Sequence, residues 1–210
     1  RSAHAEFPAT LPDLDVVVFT RCKVAPMVQG LFPVHEQDSV LDVLGRSVVF
    51  LTPATIDAVL EQTPWLSTAW DLANLYLAGV GAELLADDAP TLLGLSEGTT
   101  CYLSAEYLEA PRRFDDFLVH EAAHIFHNCK RRTIRLRETR RREWLLEIEF
   151  AKRETFAYAC ETYSRIHQLG QGLRARQTLL ADYAQGPMPA DVRVDEDEYL
   201  DILREAVAAR

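Results

Sequence analysis

The chain has 210 residues, 48% of them hydrophobic and 26% charged. That is enough to bury a proper core, and it is ordinary for a globular protein. The net charge of −10 argues against a general nucleic-acid binder or membrane-surface protein, and no apolar run approaches the length of a membrane span.

In chain order, the start Arg1-Ser2-Ala3-His4 has neither Met nor a signal-peptide pattern, which leaves export open. Residues 14–20 and 47–51 are rich in Val and Phe and predict strands. Thr52-Pro53-Ala54-Thr55 suits a helix start, leading into a helix over 56–62. Residues 65–85 carry a longer helical pattern. Residues 94–99 mark a turn, and 100–105 predict a further strand. A helix over 114–128 follows. Residues 143–167 contain no Pro or Gly and predict one long helix, stopped by Gly170. Residues 173–184 are helical, Gly186-Pro187-Met188-Pro189 breaks the pattern, and 196–209 form an acidic amphipathic helix. There are no internal repeats. The order predicts an α+β domain in three portions: a mixed N-terminal part (1–98), a core (99–170) and a helical C-terminal extension (171–210).

The chemistry sits in the 114–128 helix. His120-Glu121-Ala122-Ala123-His124 reads H-E-x-x-H, a zinc-binding helix motif. Residues four apart share one helix face, so both imidazoles can reach a single Zn²⁺. Glu121 projects beside that face, where it can hold a water and take its proton. On a helical wheel, Leu118, Val119, Ala122, Ile125, Phe126 and Cys129 gather opposite the histidines. The plain alternative is a surface helix with incidental histidines. His127 lies two turns from His120, about 10 Å along the axis. One metal with bonds of about 2 Å can hardly take both, so His127 is expected to be a neighbour of the site.

A catalytic zinc site wants three protein ligands and one open position. Glu147, Glu154 and Glu161 recur every seven residues and would form one stripe on the long helix. Periodicity does not choose among them. His167 is a further option.

Arg113-Phe114-Asp115-Asp116-Phe117-Leu118-Val119 before the motif, and Arg153-Glu154-Thr155-Phe156-Ala157-Tyr158-Ala159-Cys160 after it, resemble the two site elements of ImmA/IrrE-type regulatory metallopeptidases. These are compact gluzincin-like zincins, and the resemblance covers about residues 99–164. It implies a zincin-like fold, with a small mixed or antiparallel sheet packed against the H-E-x-x-H helix and a long second helix, and a helical C-terminus. It implies Zn²⁺ as cofactor, with His120, His124 and Glu154 as metal ligands and Glu121 as catalytic base. In larger gluzincins an acidic residue four after the glutamate orients a ligand histidine. Here that position is Tyr158, whose phenol could make such a hydrogen bond or stabilise an oxyanion. A core tyrosine is the bland alternative. In zincins a strand near the metal helix forms the upper edge of the cleft, and a peptide substrate can add to it. Chain order assigns that role to residues 100–105.

The expected activity is therefore zinc-dependent cleavage of a peptide bond, with a regulatory protein as the substrate that the resemblance suggests. The competing readings are a zincin-fold binding or regulatory module without proteolysis, and a metal hydrolase acting on another bond. Lys130, Arg131, Arg132, Arg135, Arg137, Arg140, Arg141 and Arg142 form a basic strip between the two site elements. It could take an acidic partner, but a solvated loop is the simpler reading in so acidic a chain. Cys22, Cys101, Cys129 and Cys160 lack C-x-x-C spacing and read as free thiols in a reducing compartment, the cytoplasm.

Overall fold

Asp15 accepts a hydrogen bond from the Val18 amide at 3.0 Å and so caps the first helix, α1 (Val16–Leu31). The strand expected over 14–20 is thus a helix start. Its β-branched run suits a strand, but Thr20, Val24, Met27 and Val28 form a buried line at helical spacing. The computed structural model describes residues 14–90, 92–108 and 113–209, so the chain start at Arg1–His4 lies outside the described residues. Among these it is an α+β protein of eight helices and a three-stranded mixed sheet. No helix among them is long and apolar enough to cross a membrane.

The other elements are α2 (Val34–Gly45), β1 (Val48–Leu51), α3 (Ile56–Gln62), α4 (Leu66–Gly79), β2 (Gly94–Glu97), β3 (Thr100–Ser104), α5 (Phe117–Asn128), α6 (Arg153–Leu169), α7 (Leu173–Tyr183) and α8 (Glu196–Ala208). The strand order is β1-β3-β2. β1 pairs parallel to β3, with Val48 opposite Cys101, and β2 pairs antiparallel, with Gly94 opposite Leu103. Two sequence expectations change here. Residues 94–97 are a strand, and the turn shrinks to Gly98-Thr99. Gly98 takes the positive φ of +59° that the first position of a type II′ hairpin requires. The strand just before the H-E-x-x-H helix is the middle of the sheet, so it offers no free edge. Among the described strands the edges are β1 and β2, and β2 is the one beside Glu121.

Alternation along β3 sets the layers. Cys101 and Leu103 point into the main core with Val48 and Phe50, the apolar side of α5, and Val24, Met27 and Val28 of α1. Tyr102 packs on the other face, near Leu51, Leu72 and Leu75, where α3 and α4 cover the sheet. A second cluster beyond α6 joins Ala159, Tyr163 and Ile166 to Leu180, Tyr183, Tyr199, Leu203 and Val207. Helix α6 therefore sits between two apolar clusters, and α5 is packed between α6 and the sheet.

The long helix expected over 143–167 begins ten residues late, at Arg153, after a short 3-10 turn at Phe150–Lys152. The backbone of the missing part is committed elsewhere. Leu145 and Leu146 donate their amides to the Cys129 and Phe126 carbonyls at 2.9 and 2.8 Å. The Glu147 carboxylate accepts from the Glu143 and Trp144 amides at 2.7 and 3.0 Å. These bonds fasten the segment to the end of α5, and a helix would have to break them. Helix α5 starts at Phe117, three residues inside the expected range, and α4 stops at Gly79 rather than near residue 85.

Part of the basic strip is structural. Arg131 is buried, pairs with Glu36 and donates to the Arg137 carbonyl at 2.8 Å. Lys130 pairs with Glu143 at 2.5 Å. Arg132, Arg135, Arg137, Arg140, Arg141 and Arg142 remain exposed.

Candidate metal centre

The α5 helix turns His120 and His124 toward the first turn of α6, where Glu154 is the second residue. The Oε2 atom of Glu154 lies 3.5 Å from His120 Nε2 and 3.8 Å from His124 Nε2. One ligand atom from each of the three residues falls within 4.8 Å of the others, the one such group of His, Cys, Asp or Glu among the described residues. Zinc bonds of about 2.0–2.1 Å in a tetrahedron place ligand atoms roughly 3.4 Å apart. The donor set suits zinc in type, and the two Glu154–histidine separations, 3.5 and 3.8 Å, lie near that spacing. Both histidines are buried and Glu154 is half-buried.

Glu161 completes the arrangement from behind. It lies two turns along α6 and is buried. Its Oε2 sits 3.3 Å from His120 Nδ1, and its Oε1 accepts from the Asp116 amide at the start of α5. Facing a carboxylate, Nδ1 carries a proton, so in the neutral imidazole Nε2, on the Glu154 side, is the atom with a lone pair to offer a metal. Asp116 is itself buried. Its side chain pairs with Lys23 at 2.8 Å and accepts from the Tyr107 hydroxyl at 2.6 Å. The N-terminus of α5 is thus pinned to α1 and α6, and His120 cannot rotate freely.

The charges respond to this crowding. Burial works against a cation on His120, but the carboxylates of Glu154 and Glu161 at its two nitrogens outweigh it and push its pKa up to about 10. The same His120 contact holds Glu154 below the usual carboxylate range. Burial, helped by the neighbouring His120, takes His124 down to about 4. For Glu161, burial raises the pKa against the opposing pull of His120.

Glu121 projects toward β2. Burial raises its pKa to about 7, opposed by His120 and by a hydrogen bond with Ser96. Gly94 allows this approach. A Cβ at that position would lie 2.7 Å from Glu121 Cγ and 3.1 Å from Oε1. The edge strand therefore passes directly beside the expected base.

Tyr158 meets His120 ring to ring, with centroids 4.4 Å apart at 69°. Burial pushes its phenol up to about 12. The hydrogen bond at His120 Nδ1 is made by Glu161, so Tyr158 braces the imidazole by its ring. His127 is buried with its ring 5.2 Å from that of His124, and it is outside the ligand group. Its Nδ1 has no hydrogen-bond partner, and burial and nearby Arg153 bring its pKa down to about 4. Glu147 is held in the loop described above. His167 lies beside Tyr163, with ring centroids 5.8 Å apart.

Two contributors, Arg193 and Asp191, carry no signal in the sequence, and a third, Glu161, stands there only as a possible metal ligand. Glu161 was visible as a member of the glutamate stripe, but its task was not. Arg193 reaches the centre from the segment between α7 and α8, with Nη1 3.1 Å from Glu154 Oε1. Asp191 clasps that guanidinium, accepting from Nε at 2.9 Å and from Nη2 at 2.5 Å. No spacing or periodicity links residues 191 and 193 to the helices they meet. Comparison with protein-family models, with curated proteins and with solved structures finds no match for this chain.

Proposed function

We propose that this protein is a zinc-dependent peptidase of zincin type. The observation that carries the reading is the convergence of His120 Nε2, His124 Nε2 and Glu154 Oε2 from two helices, beside Glu121. These three residues would hold the ion. Bound zinc supplies Lewis acidity, which lowers the pKa of a water and polarises a carbonyl.

The remaining work belongs to the chain. Glu121 accepts the proton of the attacking water at its carboxylate and passes it to the leaving amine nitrogen. A structural zinc site has no use for such a base, and this favours catalysis over a purely binding role. Glu161 fixes the His120 tautomer. Among the described residues β2 is an edge strand, and its outer side would present backbone groups to which an extended peptide can pair, next to Glu121. Selective cleavage of a regulatory protein is the substrate class consistent with the ImmA/IrrE resemblance. The exposed arginines of 132–142 would suit an acidic stretch on that partner.

Metal analysis after equilibration with zinc and dialysis tests the reading. One zinc per wild-type chain and none in His124→Ala is expected. A wild-type chain that retains no zinc sinks it.

A further inference from the structure

Glu154 offers two oxygens, and the structure treats them differently. Oε2 faces both histidine Nε2 atoms, at 3.5 and 3.8 Å. Oε1 faces the Arg193 guanidinium, at 3.1 Å. Arg193 does not reach there as a loose surface side chain. Asp191 holds its Nε at 2.9 Å and its Nη2 at 2.5 Å, and also accepts from the Arg193 amide at 2.9 Å. A planar fork held along one edge presents its remaining nitrogen in a fixed direction.

We infer that Arg193, oriented by Asp191, is a positioning residue that reserves Oε1 of Glu154 and so limits Glu154 to one oxygen toward the metal. The inference rests on the zinc-centre reading above. Carboxylates bind metals through one oxygen or two. A glutamate free to close with both would take up the position that a hydrolytic site must keep open. Ion-paired through Oε1, Glu154 keeps Oε2 for the metal. The arginine also offsets the negative charge of Glu154. Arg193 lies on the surface side of the centre, so its replacement should leave the packed clusters intact.

The test compares wild type, Arg193→Ala, Arg193→Lys and Asp191→Asn by zinc competition against a chromogenic chelator and by the visible spectrum of the Co²⁺-loaded chain. Removing a group that orients a metal ligand costs roughly 10–100-fold in affinity. A loss of that size is expected for Arg193→Ala, with a smaller one for Asp191→Asn. Arg193→Lys keeps the charge without the fork and should fall between. Wild type should show the intense absorption of four-coordinate cobalt, and Arg193→Ala the weaker bands of a higher coordination number. Affinity and spectrum both unchanged in Arg193→Ala overturn the inference. A four-coordinate cobalt spectrum retained by Arg193→Ala also overturns it, whatever the change in affinity. A wild type that takes up neither zinc nor cobalt overturns the metal-centre reading itself, a distinguishable result.

Discussion

Glu161 grips His120 from the side away from Glu154: its Oε2 lies 3.3 Å from Nδ1 while its other oxygen accepts the Asp116 amide. One carboxylate thus sets the tautomer of a ligand and ties the start of α5 to α6. Glu161→Gln keeps the shape but weakens the acceptor at Nδ1. Zinc affinity should drop by about 10–100-fold. Glu161→Ala should in addition lower stability by roughly 1–3 kcal/mol, because it strands buried donors. Chelator competition and urea unfolding separate the two effects. Unchanged zinc affinity in both variants would remove Glu161 from the site.

Gly94 governs the distance between β2 and Glu121. A Cβ there would press on Glu121 at 2.7 Å, with Leu103 at 3.0 Å on another side. Gly94→Ala should shift the Glu121 carboxylate without touching the ligands. Peptide cleavage should drop on the order of 10²-fold, the cost of misplacing a catalytic group by about 1 Å. Zinc content should stay the same. Full cleavage by Gly94→Ala would show that the strand does not constrain the base.

The Arg131–Glu36 pair joins the loop after α5 to α2, with both side chains nearly buried. Breaking a buried pair by removing one partner leaves the other charge desolvated. Arg131→Ala should therefore cost about 3–5 kcal/mol in denaturant unfolding. The exposed Arg140 and Arg141 offer a control, with changes expected within about 0.5 kcal/mol for alanine at either. A loss at Arg131 no larger than theirs would contradict the structural role.

The four thiols should differ in reactivity. Cys22 is exposed, whereas Cys101, Cys129 and Cys160 are buried and burial raises the pKa of each. Since the thiolate reacts, native protein should take up one alkylating label, at Cys22, and all four after unfolding. Peptide mapping by mass spectrometry checks the position. Rapid native labelling of Cys101 would mean that the sheet opens above α5.

Much of this was legible in the sequence. The H-E-x-x-H spacing on an amphipathic helix identified the face that α5 turns toward α6, because four-residue spacing is a local property. Periodicity places Glu154 on a stripe with Glu147 and Glu161 but does not choose it; the ImmA/IrrE resemblance does. The failures were non-local. Residues 14–20 look like a strand until Asp15 is seen as a cap. Residues 143–152 look helical until their amides are found on the carbonyls of α5. The central position of β3 depends on a parallel pairing with β1 across two intervening helices, which no short window of sequence reports. Arg193 and Asp191 come from a segment between α7 and α8, and only the packing of those helices on α6 delivers them to Glu154.

The most direct test of the central claim is cleavage of a peptide library by zinc-loaded wild type and by Glu121→Gln at equal zinc content, read by mass spectrometry. Wild type should cut a restricted set of peptide bonds. Glu121→Gln should bind the same zinc and cut none, since the amide cannot take the proton of the attacking water. Cleavage by Glu121→Gln at the wild-type rate would contradict the proposed mechanism.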